Sequence, residues 1–151
     1  MKYDALLDEA NAEGISIKER PFKTYDGRIK GKDIYLRKDM NTTEKACVLA
    51  EELGHYHTSV GNLLDMTIPS NRKQERQARL WAYNKQIGLK GLIRAYEHGC
   101  TASHEIAEYL DVTEEALQEC IEFYRDKYGE YKTFDHYIIF FIPHLAVLKK
   151  I

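Results

Sequence analysis

The sequence predicts an α+β fold in which a small N-terminal sheet packs on a helical core. Short alternating stretches bounded by turn residues lie within residues 15–38, which favours strands there. Segments with helical periodicity and capping residues follow between residues 42 and 129, which favours helices. The 151 residues contain no repeat, low-complexity tract or clear linker, so we expect a single domain over residues 1–151.

Composition and charge narrow the class of protein. Hydrophobic residues make up 44% and charged residues 30% of the chain, and the net charge of −2 argues against a broadly basic nucleic-acid surface. The longest apolar run, at 137–142, is far shorter than the ~20 residues of a membrane span, and the acidic N-terminal segment is unlike a secretory signal. The three cysteines have no CxxC spacing, and their odd number excludes a full disulfide framework, so we expect reduced thiols. We expect a cytoplasmic protein that contacts neither nucleic acid nor membrane directly.

The N-terminal third is predicted to contain a short helix and short strands. The helix covers residues 3–13 and ends at Gly14. Residues 15–22 and 27–38 alternate and contain turn residues, which is typical of strands.

A long helix is predicted over residues 42–58, because Asn41 can cap its first turn and Glu44 completes a capping box. A loop over residues 60–70 and a second long helix over residues 71–87 follow.

Residues 89–99 fit a strand or a helix equally well. Residues 102–129 predict two helices that are broken near 111–113 and end at a glycine, and residues 135–145 predict one late strand.

The first long helix contains the sequence E-E-L-G-H at residues 51–55. Positions i and i+4 lie on one helix face, so Glu51 and His55 can hold one metal ion from consecutive turns. Glu52 lies one residue away and can act on a water beside the metal without being a ligand. An apolar stripe occupies a separate face of this helix. The alternative interpretation of residues 51–55 is the polar face of an ordinary solvated helix that binds no metal.

Glu75, on the second long helix, is the candidate third ligand, because a tetrahedral catalytic site needs three protein ligands and one open position. Ala78 and Ala82 lie on its face and would allow this helix to pack closely on the first. Gly54 costs ~1 kcal/mol relative to alanine in a helix interior, which a close approach would explain. Glu75 could also be a favourable charge near a helix N-terminus.

Together, EELGH at 51–55 and ERQARLWA at 75–82 resemble the ImmA/IrrE family of metallo-endopeptidases, especially the versions carried by phages and integrated mobile elements. The family pattern is H-E-L-G-H followed by E-x-x-A-x-x-[FW]-A, and the resemblance extends over roughly residues 40–145. It implies a zincin-like fold, with an HExxH-type helix and a second ligand-bearing helix.

The resemblance implies that His55 and Glu75 are metal ligands and that Glu52 is the general base. The sequence departs from the pattern at Glu51, where the family has histidine, but a carboxylate can also bind zinc. Zn²⁺ is the expected metal, and Mn²⁺ is the alternative because the extra carboxylate favours a harder ion. His57 points about 200° away from His55 on a continuous helix, so it could replace Glu51 only if the helix ended early.

The implied function is metal-dependent cleavage of a protein regulator, typically a helix-turn-helix repressor of a phage or mobile element. The alternative is a catalytically degenerate peptidase fold that binds a repressor without cleaving it. Residues 103–124 themselves have the shape of a helix-turn-helix. Their second helix is rich in glutamate, which repels phosphate, so we interpret this segment as a packing unit.

Overall fold

A computed structural model describes residues 2–58 and 69–151 of the protein. Within these ranges the chain forms six helices and six strands, which confirms the α+β class. The contacts divide the chain into two compact units, Met1–Lys85 and Gln86–Ile151. No helix in the described ranges has the length and apolar character needed to span a bilayer. The loop predicted at 60–70 lies outside the described residues except at its last two positions, which are helical.

The elements of the N-terminal half confirm the predicted order of helix, strands and long helices. They are α1 (Lys2–Ala12), β1 (Ser16–Arg20), β2 (Gly27–Lys30), β3 (Asp33–Arg37), α2 (Thr42–Thr58) and α3 (Pro69–Gln86). Strand β3 is central, parallel to β1 and antiparallel to β2, so β2 forms one edge of the sheet. Helix α3 already includes Pro69, two residues before its predicted start, because proline is tolerated in a first helical turn.

Helix α2 begins with the predicted capping box. The backbone N–H of Glu44 donates to Asn41 Oδ1 at 2.8 Å, and the N–H of Asn41 donates to Glu44 Oε1 at 3.1 Å. One face of α2 is fully buried against α1 and the sheet, through Ala46, Leu49, Ala50 and Leu53. This burial fixes the rotation of α2, and therefore the direction in which residues 51, 52 and 55 point.

The C-terminal unit contains more sheet than the sequence predicted. Its elements are α4 (Gly88–His98), α5 (Ser103–Leu110), α6 (Glu114–Tyr128), β4 (Tyr131–Phe134), β5 (Tyr137–Phe140) and β6 (Ala146–Lys149). The segment at 89–99 is therefore a helix, and the break between α5 and α6 is confirmed. The late strand predicted within residues 135–145 is confirmed as β5, but the prediction missed β4 and β6, which pair with β5 in an antiparallel sheet. Asp135, at φ 56°, makes the tight turn between β4 and β5 without a glycine.

Candidate metal centre

Helices α2 and α3 cross where Gly54 meets Ala78. A Cβ atom added to Gly54 would lie 3.0 Å from the carbonyl carbon of Ala78 and 3.2 Å from its Cα, and would overlap its carbonyl oxygen. Only glycine permits such a close backbone approach. The predicted packing of the small-residue face of α3 on α2 is thereby confirmed, and Glu75 lies one turn before the crossing.

Three potential ligands converge beside this crossing. One side-chain donor atom from each of Glu51, His55 and Glu75 lies within 4.8 Å of the other two. His55 Nε2 is 3.1 Å from Glu75 Oε2. In the part of the chain that the structure describes, no other group of His, Cys, Asp and Glu residues converges in this way. The i, i+4 pair on α2 therefore meets the carboxylate on α3 that the sequence singled out.

Glu52 lies beside this trio and is buried, with 9% of its surface exposed. Burial raises the pKa of Glu52 to about 7; the charge of His55 opposes the shift, while Glu51 and Glu75 add to it. The edge strand β2 contributes to the enclosure, because a Cβ added to Gly27 would lie 3.3 Å from Glu52 Cγ. Glu52 can therefore accept and release a proton near neutral pH.

The other three titratable groups influence one another. Burial raises the pKa of Glu51, and the nearby charge of Arg79 opposes that shift. The hydrogen bond from His55 lowers the pKa of Glu75. Burial works to lower the pKa of His55, but its hydrogen bond and charge interaction with Glu75, together with Glu52 and Glu51, raise it overall. The cluster thus combines an imidazole with an excess of carboxylates.

Arg79 is the residue of this cluster that the sequence analysis missed. Its Nε lies 3.3 Å from Glu75 Oε1 and 3.4 Å from Glu51 Oε1. The available signal was its i+4 spacing from Glu75 on α3, a spacing at which opposite charges pair.

His57 lies away from the cluster. Helix α2 continues through Thr58, so the early helix end that would bring His57 to the metal does not occur. Its Nε2 lies 3.1 Å from Glu13 Oε2, and its ring stacks on Trp81 with centroids 4.9 Å apart. These contacts connect α2 to α3 and to the turn that follows α1, so His57 has a structural role here.

Comparison with known proteins agrees with this geometry. A peptidase family model, described as the IrrE N-terminal-like domain, matches residues 10–122, which include Glu51, Glu52, His55 and Glu75. Searches of curated proteins and of solved structures found no match. The match covers most of the chain and confirms the resemblance noted in the sequence. The chain therefore belongs to the IrrE N-terminal-like family and contains a metallopeptidase-type domain.

Proposed function

We propose that this protein is a metal-dependent endopeptidase whose metal is held by Glu51, His55 and Glu75. The convergence of these three donors within 4.8 Å, beside buried Glu52, is the observation that carries the proposal. Imidazole and carboxylate are both zinc ligands, and three protein ligands leave a position open for substrate or water. The donor set therefore fits Zn²⁺, with Mn²⁺ as the alternative.

When bound, the metal would supply Lewis acidity to a peptide carbonyl and to water. Glu52 takes the proton of the attacking water and passes it to the leaving amine. A pKa of about 7 suits both steps, because the same group must act first as a base and then as an acid. The hydrogen bond between His55 and Glu75 and the helix crossing at Gly54 hold the donors in position before catalysis.

We further propose that the substrate is a protein regulator, namely a helix-turn-helix repressor of a phage or integrated mobile element. The support is the resemblance of residues 51–55 and 75–82 to the phage-type members of the family. The alternative is a binding module that holds a repressor without cleaving it. The contacts of Arg79 with Glu51 and Glu75 favour that alternative, because they place a positive charge at two of the proposed ligands and so oppose a metal ion there.

The test is incubation of the purified protein with the repressor encoded beside its gene, with added Zn²⁺ or with a chelator. We expect one zinc per chain by elemental analysis and two repressor fragments that the chelator prevents. Glu52→Gln is the matched control, which should retain zinc and lose cleavage. A repressor that is bound but never cut, by a protein without stoichiometric metal, would support the binding module.

A further inference from the structure

Arg79 reaches the two carboxylates that the proposed metal would need. Its Nε lies within 3.4 Å of one oxygen of Glu51 and one oxygen of Glu75, and the second oxygen of Glu75 is paired with His55. The side chain of Arg79 is 39% exposed, so it can move toward solvent without disturbing the core.

Electrostatics explains why Arg79 contacts Glu51 and Glu75. Glu51, Glu52 and Glu75 place three carboxylates near one helix crossing, and like charges at short range repel one another. Arg79 provides a positive charge to two of them. Because it approaches from α3 itself, one turn after Glu75, it can contact Glu51 only where α2 and α3 cross.

A divalent ion bound by Glu51 and Glu75 would lie close to the guanidinium, whose Nε contacts one oxygen of each carboxylate. Arginine is always charged, so it opposes a second cation at the carboxylates that it contacts. A metal that binds Glu51 and Glu75 must therefore be held against the repulsion of this guanidinium. The guanidinium remains attached to α3 whether or not it keeps its contacts with the two carboxylates.

We propose that Arg79 is a built-in counter-cation of Glu51 and Glu75, which holds the two carboxylates together and opposes the binding of a metal to them. This inference rests on the metal site proposed above, but it does not depend on catalysis. It makes Arg79 a positioning residue with two opposite effects. Arg79 stabilises the metal-free protein, and it weakens metal binding.

The second carboxylate that Arg79 contacts belongs to Glu51, the position at which the H-E-L-G-H pattern has histidine. A neutral histidine at position 51 would remove one negative charge from the cluster. Arg79 would then have one carboxylate partner instead of two. The effects of replacing Arg79 should therefore be smaller in a Glu51→His background, as a double-mutant cycle would measure.

The experiment measures two quantities for Arg79→Met and for Arg79→Gln. The first is zinc affinity, by competition with a chromophoric chelator, and the second is the thermal unfolding midpoint of the chelator-treated protein. We expect zinc to bind about tenfold more tightly, because a unit charge near a divalent ion is removed. We expect the metal-free midpoint to fall. Arg79→Lys retains the charge and should shift both quantities less, and Arg76→Met is the control for an exposed arginine of the same helix.

The signs of the two changes decide the outcome. The inference is supported if the neutral Arg79 variants bind zinc more tightly and the chelator-treated protein has a lower thermal unfolding midpoint. Both changes should be smaller in the Glu51→His background. If the parent binds zinc and Arg79→Met binds it equally or less tightly, the inference about Arg79 is wrong. The proposed metal site is then unaffected. Absence of zinc binding in the parent and in both neutral variants overturns the proposed metal site as well. Zinc binding that appears only after Arg79 is replaced supports the inference.

Discussion

Two carboxylate clusters in the N-terminal unit differ in how their charges are matched. Glu19 accepts a hydrogen bond from Lys45 Nζ on Oε1 and another from the Tyr3 hydroxyl on Oε2, both at 2.8 Å. The hydrogen bond from Lys45 lowers the pKa of Glu19. One carboxylate here has one cation, so the cluster is balanced.

The centre at the α2–α3 crossing is not balanced. Its three carboxylates lie beside Arg79, which contacts Glu51 and Glu75, and His55, which contacts Glu75. Burial raises the pKa of both Glu51 and Glu52. A partly buried excess of negative charge is unfavourable without a cation. The comparison teaches that ion pairing alone does not indicate a functional site. The informative feature is an excess of carboxylates held together by the close approach at Gly54.

The largest expected effect is on the rate of repressor cleavage, which should depend on Glu52 at the α2–α3 crossing and not on Glu19. Glu52→Gln should lower the rate of repressor cleavage by roughly 10²–10⁴, because it keeps the shape of the side chain and removes the proton acceptor. Zinc content should remain near that of the parent. Glu19→Gln is the matched control, and it should retain the parental rate per folded molecule. Cleavage by Glu52→Gln at the parental rate would exclude Glu52 as the base.

The second prediction concerns the pH dependence of stability in the metal-free protein. The folded-state pKa of Glu52 is about 7, above its unfolded value, so its contribution to stability decreases as pH rises from about 4.5 to 7. By pH 8 the penalty is about 3 kcal/mol. Glu52→Gln should therefore be more stable than the parent at pH 8, and this advantage should disappear near pH 4, as measured by urea unfolding.

Glu19 should show the opposite sign in the same experiment. Its folded-state pKa is lowered, so its contribution is present above the unfolded pKa and is lost as pH falls through the folded one. Glu19→Gln should therefore be less stable than the parent at pH 8. If both variants shifted stability in the same direction at pH 8, the distinction between the clusters would be wrong.

The third prediction tests the crossing that creates the imbalance. In Gly54→Ala the added methyl group meets the backbone of Ala78, so α3 must shift. We expect a loss of about 2 kcal/mol in unfolding free energy, despite the higher helix propensity of alanine. Zinc affinity should fall too, because Glu75 moves away from α2.

Gly91→Ala is the control for this change. Gly91 also lies inside a helix, but its added Cβ would meet the end of the flexible Leu110 side chain, 3.3 Å away. We expect stability close to that of the parent and unchanged zinc affinity. A Gly54→Ala variant with parental zinc affinity would show that the crossing does not position Glu75.

The parts of the centre that could be predicted depend on local geometry. Asn41 and Glu44 define the start of α2 through contacts within one helical turn, and the i, i+4 rule places Glu51 beside His55. Glu75 was identified from the small-residue face that follows it on α3 and from its place in the second motif. Arg79 was missed because its contact with Glu51 exists only after two helices have packed.

The fold shows the same division between local and long-range information. The break between α5 and α6 is encoded by Thr113, whose hydroxyl accepts from the N–H of Ala116 at 3.0 Å. The sheet at the C-terminus was missed because its strands have four residues each, which is too short for a clear alternation. Pairing between strands stabilises them, and pairing is not a local signal.

The smallest expected effect is on the unfolding free energy when the balanced cluster around Glu19 loses its cation. Lys45→Met removes the cation of Glu19, and we expect a loss of about 1 kcal/mol at pH 7, since partial exposure screens the pair. The loss should diminish in acid, where Glu19 is protonated in both the folded and the unfolded state.

Lys18→Met is the control, because the Lys18–Asp33 pair is longer, at 3.8 Å, and more exposed, so its removal should change stability little. Zinc affinity should remain within about twofold of the parent in both lysine variants, because the charges that shift the pKa values of the centre are those of its own residues and of Arg79, and salt screens weaker long-range effects. A tenfold change in zinc affinity in Lys45→Met would mean that the two clusters are electrostatically coupled and that charge excess is not confined to the α2–α3 crossing.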